Sequence, residues 1–283
     1  MLTVAETQTT EDIEYLRHGD TGLKLRLFRP EGDGPFPTVV DLHGGAWCKN
    51  DLTACRPRNE VLVEAGFAAA AVDFRHAGDG YPTSLIDINY AIRWLKANAG
   101  DLRLDPERIG ISGQSSGGHL AMLAAMRPSD SRYASIALNP GKPDVDASVR
   151  CVGMSWPVIN PLSRYHHALR ERGNGSEWVG DIPESHDLYW VTDENMIDGN
   201  PVCALESGEP VETPPAIWVQ GRPDPVHDYC DPKSELGIKE PERFAQRYRE
   251  AGGEIEVLYI EQAERDSRVS FDPLAAFFRK HLG

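Results

Sequence analysis

The sequence predicts an α/β fold, a mostly parallel central sheet with helices on both faces, and three observations carry that prediction. Apolar strand-length runs alternate with stretches of helical period, a G-x-S-x-G turn sits between one such strand and one such helix, and a glycine pair follows an earlier strand. The length of 283 residues suits one large domain with an insertion, and 40% hydrophobic with 26% charged residues excludes a disordered, collagen-like or coiled-coil chain.

In chain order, strands are expected at Lys24 to Arg29, Thr38 to Leu42 and Phe67 to Phe74, the last two separated by a helix-length stretch with Val61, Leu62 and Ala65. Ser84 to Ala97 places Leu85, Ile88, Ile92 and Leu95 on one helical face behind a Ser cap and leads into a short strand, Arg108 to Ser112. A helix with Leu120, Leu123 and Ala124 follows, then a weak strand from Ser135 to Leu138. Between Gly141 and Gly208 no period persists, and Pro, Asn, Ser, Gly and Trp dominate. That stretch reads as an irregular lid insertion over the top edge of the sheet, its aromatic side chains suited to covering a ligand cleft. Alternation then resumes with a strand at Ala216 to Gln220, a helix at Pro241 to Ala251, a strand at Glu254 to Tyr259 and a helix at Phe271 to Leu282.

Lys and Arg number 29 against 44 Asp and Glu, a net charge of −15 that repels phosphate backbones and anionic headgroups and argues against nucleic acid as a partner. No apolar run reaches the roughly 20 residues that span a bilayer, and Met1 to Tyr15 carries no basic or apolar leader pattern. A cytoplasmic protein without a membrane partner is expected. The five cysteines (Cys48, Cys55, Cys151, Cys203, Cys230) are scattered and form no C-x-x-C, so they read as free thiols. Asp198 and Thr192-Asp193-Glu194 read as solvated acids, no metal site is expected, and no nucleotide-binding glycine motif occurs, so no cofactor is implied.

The chemistry concentrates in Gly113-Gln114-Ser115-Ser116-Gly117-Gly118. A tight strand-to-helix turn needs small residues on either side of the serine, and it lifts the hydroxyl of Ser115 to the carboxyl edge of the sheet, at a helix N-terminus that favours developing negative charge. His43-Gly44-Gly45-Ala46-Trp47 follows the strand Thr38 to Leu42. There the N–H groups of Gly44 and Gly45, with that of Ser116, can hold a carbonyl oxygen as it becomes an oxyanion, each such donor being worth roughly 3 to 4 kcal/mol. His43 itself reads as a loop-former.

These motifs resemble those of the α/β-hydrolase fold carboxylesterases, specifically the hormone-sensitive-lipase-like and related bacterial esterases. Asp73-Phe74-Arg75, Tyr81-Pro82, Trp94-Leu95, Asp105-Pro106-Glu107-Arg108-Ile109, Pro214-Pro215-Ala216 with Gly221, and the segment from Glu242 to Gly252 fall in family order, so the likeness covers about three quarters of the chain. It implies a serine hydrolase acting on small carboxylic esters through an acyl-enzyme, with no cofactor, as a monomer or homodimer. It also implies a triad in the order Ser, acid, His, with Asp224 as the acid. The histidine expected about five residues after the last strand is missing: Ile260 to Asp266 contains none, and the matching position falls near Glu264. His281 closes the last helix, roughly 15 Å from the catalytic edge.

Four explanations stay open. His227, three residues past Asp224, swings in as base; a lid histidine (His166, His167 or His186) reaches Ser115; Glu264 serves as a carboxylate base, weak at its usual pKa unless burial raises it; or the cleft does not run the acyl-enzyme cycle. In the last case the protein binds a small ligand or performs repurposed chemistry (amidase, lactonase or lyase) with Glu264 or Asp266 in place of imidazole. Amide hydrolysis is a variant reading, since H-G-G-x-W also resembles arylformamidases.

Overall fold

A computed structural model describes residues 8–283, so the first seven residues of the polar N-terminal stretch lie outside the described residues. An eight-stranded sheet runs through the molecule in the order β1-β2-β4-β3-β5-β6-β7-β8. The strands are β1 (Gln8–His18), β2 (Thr21–Pro30), β3 (Phe36–Leu42), β4 (Ala68–Val72), β5 (Leu104–Gln114), β6 (Val152–Ser155), β7 (Ala216–Arg222) and β8 (Ile255–Glu261). β1 and β2 pair antiparallel, β2 meets β4 antiparallel, and β3 to β8 are parallel throughout.

Parallel strands covered on both faces need apolar side chains at every position, not at alternate ones. β4 meets this with Ala-Ala-Ala-Ala-Val, all five buried. In β3, Val40 and Leu42 enter one core and Val39 the other. The first core is closed by α2 (Thr83–Ala97), the short α3 (Ala99–Leu102), α4 (Ser116–Met126) and α9 (Glu240–Glu250), the second by α1 (Arg56–Glu64) and α10 (Arg268–Leu282). The α/β architecture expected from the alternation is the one observed.

Two expectations for the middle of the chain need correction. No strand forms at Ser135–Leu138, and the strand beside β5 is β6, which lies within the stretch read as irregular. Val-Gly-Met-Ser is only four residues long and wholly buried, so it carries neither alternation nor an apolar run to mark it. After β6 the chain forms α5 (Pro161–Gly173), α6 (Ile182–Trp190), α7 (Asp193–Asp198) and α8 (Pro201–Glu206). Each starts at a cap that the lack of period hid: the Asn160, Thr192 and Asn200 side chains accept backbone N–H bonds, and Pro stands in the first turn of α5, α6 and α8.

The strand order places the site. From β3 the chain crosses to β4 on one side and then returns to form β5 on the other, so the loops leaving β3 and β5 diverge and open a crevice at their carboxyl ends. Gly44 and Ser115 sit on those two loops. No helix among the described residues is long and apolar enough to cross a membrane.

Candidate active site

Ser115 occupies the turn from β5 into α4 with φ 53° and ψ −119°, a conformation that costs a non-glycine residue about 1–3 kcal/mol. The glycines around it show why the turn tolerates nothing larger. A Cβ on Gly113 would lie 2.2 Å from the carbonyl oxygen of Gly117, and one on Gly117 would lie 2.4 Å from the carbonyls of both Leu42 and His43. The strained serine is held by its backbone: its N–H donates to Ser155 O at 2.9 Å, and its carbonyl accepts from Val158 N at 3.1 Å and His119 N at 3.2 Å.

The loop after β3 packs directly on this elbow, since a Cβ on Gly44 would stand 2.9 Å from Gln114 O and 3.3 Å from Ser115 Cβ. Gly45 has φ +112°, and Ala46 and Trp47 are also left-handed, so the chain turns sharply after β3. Among the described residues, the N–H groups of Gly44, Gly45 and Ser116 donate to no protein acceptor. These N–H groups belong to the two loops that pack together at Ser115. His43 is structural, as expected: its Nδ1–H donates to Gly44 O at 2.9 Å, its ring stacks on Phe74 with centroids 4.4 Å apart, and burial lowers its pKa to about 4. Trp47 fixes the far end of the loop by donating from Nε1 to His119 Nδ1, whose Nε2–H in turn donates to Gly199 O.

Asp224 and His227 share the loop that leaves β7. Asp224 Oδ1 accepts the N–H of Val226 at 2.8 Å and that of His227 at 3.3 Å, an Asx turn that folds the chain back over the carboxylate. Its Oδ2 accepts from Gln220 Nε2 at 2.9 Å and from His227 Nδ1–H at 2.7 Å. The other ring nitrogen, His227 Nε2, lies 3.3 Å from Ser115 Oγ and accepts its proton. That is the long end of a hydrogen bond, as is common before substrate is bound. Ser115, His227 and Asp224 therefore form a continuous chain, with the histidine side chain 1% exposed.

Electrostatics set the protonation states. Burial disfavours ionisation of Asp224, but the hydrogen bond and charge of His227, with the Val226 N–H and Gln220 amide, outweigh it and hold the carboxyl well below the usual range. For His227 burial is the largest influence and takes the imidazole down from 6.5 to about 4, against the partial support of Asp224. A neutral Nε2 at pH 7 is the form that can accept a proton. With His227 as the base of an ester hydrolase, the reading proposed below, the active form is the unprotonated one, so kcat/KM for a neutral ester should hold as pH falls through 6.5 and drop only toward 4. A pH–rate profile with its acid limb at or above 6.5 would contradict this environment for the base.

The other candidates stand elsewhere. Glu264 is exposed, and its part in the fold is a backbone carbonyl that accepts from the Ser267 and Ser270 hydroxyls, so a carboxylate base there is not supported by its placement. Asp266 accepts from Gln114 Nε2 at 2.9 Å. His186 is buried against the edge of Trp47 and donates from Nδ1 to Ile182 O, while His166 lies against Tyr165. His167 braces the acid loop from above, donating from Nε2 to Pro225 O at 2.8 Å and stacking on Tyr229 at 4.0 Å. Asp198 accepts from Tyr81 and Arg132, and among the described residues no group of three or more His, Cys, Asp or Glu is placed to hold a metal ion. Gln220 had no mark in the sequence, since it lies inside a strand, and His167, read as a possible base, instead holds the loop of Asp224 through Pro225 O.

The BD-FAE family profile matches residues 25–196. The chain belongs to the BD-FAE family. This BD-FAE chain is 34% identical over 219 residues to the "Probable carboxylic ester hydrolase LipM" of Mycobacterium tuberculosis, which covers 75% of this chain and 47% of that protein. It is 32% identical over 229 residues to "Esterase LipQ" of the same organism, covering 77% and 49%. The chain thus spans about half the length of these curated relatives. Carboxyl esterase 2 of the mycorrhizal fungus Tuber melanosporum superposes with a TM-score of 0.73 at 19% identity, over 98% of this chain and 88% of that one, a likeness of fold. Both the α/β-hydrolase fold and the esterase resemblance expected from the sequence are thereby met.

Proposed function

We propose that the protein hydrolyses carboxylic esters of small molecules through an acyl-enzyme on Ser115, with His227 as the general base and Asp224 as its orienting acid. The observation that carries this reading is the unbroken contact from Asp224 Oδ2 through His227 to Ser115 Oγ, at 2.7 and 3.3 Å. The names of the LipM and LipQ relatives, a carboxylic ester hydrolase and an esterase, support the same class of reaction.

In the acylation step Ser115 Oγ attacks the ester carbonyl carbon while its proton passes to His227 Nε2. The carbonyl oxygen becomes an oxyanion facing the N–H groups of Gly44, Gly45 and Ser116, preorganised donors that need no rearrangement when the charge appears. Asp224 keeps the proton of the neutral ring on Nδ1 and stabilises the imidazolium that forms. The tetrahedral intermediate collapses, the C–O bond to the alcohol breaks, and Nε2–H protonates the leaving oxygen. Water then enters, gives a proton to His227 and attacks the acyl carbon, and collapse releases the carboxylic acid and returns the proton to Ser115.

The test is turnover of 4-nitrophenyl acetate and butyrate by the wild type and by Ser115→Ala. The reading requires wild-type kcat/KM to exceed that of the variant by on the order of 10⁴-fold or more. Equal rates would assign the protein to ligand binding or to chemistry that bypasses Ser115.

A further inference from the structure

Asp224 and His227 meet within one loop, so their contact fixes the ring against the carboxylate without fixing its distance from Ser115, which stands on the loop after β5. Nδ1 of His227 is 2.7 Å from Asp224 Oδ2, and Nε2 is 3.3 Å from Ser115 Oγ. The loop can tilt as one piece and keep the first contact while the second lengthens. What sets the tilt has to come from outside the loop. Gln220 and His167 reach it at Asp224 and at Pro225 O.

The charged anchorage is at Asp228. Its side chain is 2% exposed and accepts from Arg222 Nε at 2.9 Å, Arg222 Nη2 at 3.3 Å and Lys239 Nζ at 2.6 Å. Bonds of this kind, with both partners ionised, are roughly twice as strong as neutral ones. The two cations are themselves held by the frame. Arg222 ends β7, lies over the ring of Tyr259 in β8 at 3.3 Å and donates to Glu242 in α9 at 3.0 Å. Lys239 stands immediately before α9 and forms an antiparallel bridge with Cys230. The Asp228 N–H donates to Asp224 O at 3.0 Å, which ties this anchor to the acid. Asp228 and His227 are neighbours in the chain but face apart. His227 lines a small cavity with Pro157, Trp218 and Glu240, whereas Asp228 lines an outer cleft with Arg222, Pro223 and Lys239.

We propose that Asp228 is a positioning residue for the base: gripped by Arg222 and Lys239, it sets the tilt of loop 223–229 and thereby the reach of His227 Nε2 to Ser115 Oγ. This rests on the esterase reading above and names the residue that makes an acid and base on one loop productive. Two effects follow when the grip is loosened. A reacting group misplaced by about 1 Å costs on the order of 100-fold in rate. The ring also gains water, and since burial is what takes His227 from 6.5 to about 4, a wetter ring moves back toward 6.5. The other charged and titratable groups around His227 are Asp224 on its own loop, Arg164 on α5, Arg265 after β8, and Glu240 and Tyr229 in the same small cavity. Substitution of Asp228 alters none of them.

The experiment is Asp228→Asn, assayed on 4-nitrophenyl acetate. Arg222 and Lys239 are partly exposed and can turn to water, so the fold should hold. kcat should fall on the order of 10- to 100-fold at unchanged KM, because no substrate contact is removed. The rate of fluorophosphonate labelling should fall in step, and the acid limb of kcat/KM should rise from about 4 toward 6.5. Loss of the carboxylate's charge alone acts the other way, since the imidazolium then forms less readily and the limb falls. Arg222→Lys keeps every charge and removes only the two-pronged grip. It should lower kcat several-fold with the same upward limb, and it decides the matter if Asp228→Asn fails to fold. A kcat within about twofold of wild type in both variants, or a loss with the limb unmoved or lowered, overturns the positioning role while the esterase reading stands. A wild type that neither turns over the ester nor takes up the probe overturns the esterase reading, and this inference with it.

Discussion

His227→Ala is expected to lower kcat for 4-nitrophenyl esters by on the order of 10⁴-fold, with the fold retained in circular dichroism. The size follows from what the ring does. Without Nε2 the hydroxyl of Ser115 keeps its proton at neutral pH, and no other imidazole reaches it, since His167 is engaged by Pro225, and His186 by Ile182. Asp224→Asn should lose a comparable factor, because an amide can donate to Nδ1 and so stabilise the wrong tautomer. Glu264→Gln should leave kcat within about twofold, as substitutions at exposed positions away from the chemistry generally do. A large loss in Glu264→Gln with little in His227→Ala would reverse the assignment of the base.

The second large effect concerns stability. Asp41, in β3, and Arg58, in α1, form an ion pair with side chains 0% and 3% exposed, Arg58 Nε donating to Asp41 Oδ1 at 2.8 Å. Burial raises the pKa of Asp41 in spite of the arginine, so the carboxylate depends on that partner to stay charged. Arg58→Ala strands it, and breaking a buried pair from one side costs about 3–5 kcal/mol. In a chain of this size that lowers Tm by roughly 10 °C. The double variant Arg58→Met with Asp41→Leu should recover most of the loss, because no charge is then left without a partner. Thermal unfolding of the three variants decides this; a loss under about 1 kcal/mol in Arg58→Ala would mean the pair contributes no more than an exposed one. The pair also reaches the site, since Arg58 Nη2 donates to Leu42 O, a carbonyl that packs against Gly117.

What was legible in the sequence follows from which constraints are local. The serine elbow is local, because Gly113 and Gly117 are forced by backbone contacts within a few residues and across one neighbouring loop. β3 and β4 read clearly since a strand covered on both faces is apolar at each position. β1 escaped notice because it is an edge strand whose outward residues are charged, and its pairing is secured by ion pairs such as Arg26 with Asp12 directly across the ladder. β6 is too short to show a pattern, and the helices from α5 to α8 are set by caps and by packing on one another instead of by a continuous apolar stripe.

The base was the hardest element to read, for a physical reason. A histidine after β8 reaches the serine from a separate loop, and the resemblance directs attention there. The acid and base proposed here lie three residues apart on one loop, an arrangement made possible by the Asx turn at Asp224 that brings Nδ1 of His227 back onto the Asp224 carboxylate. Sequence spacing places the two near each other, but not the ring toward Ser115.

The most direct test of His227 as the activating base is the rate at which a fluorophosphonate modifies the intact protein. Labelling requires an activated serine, not just a well-placed one. The wild type should take up one probe, Ser115→Ala none, and His227→Ala should react slower by orders of magnitude. A wild-type rate of labelling in His227→Ala, or no labelling of the wild type at all, would contradict the account.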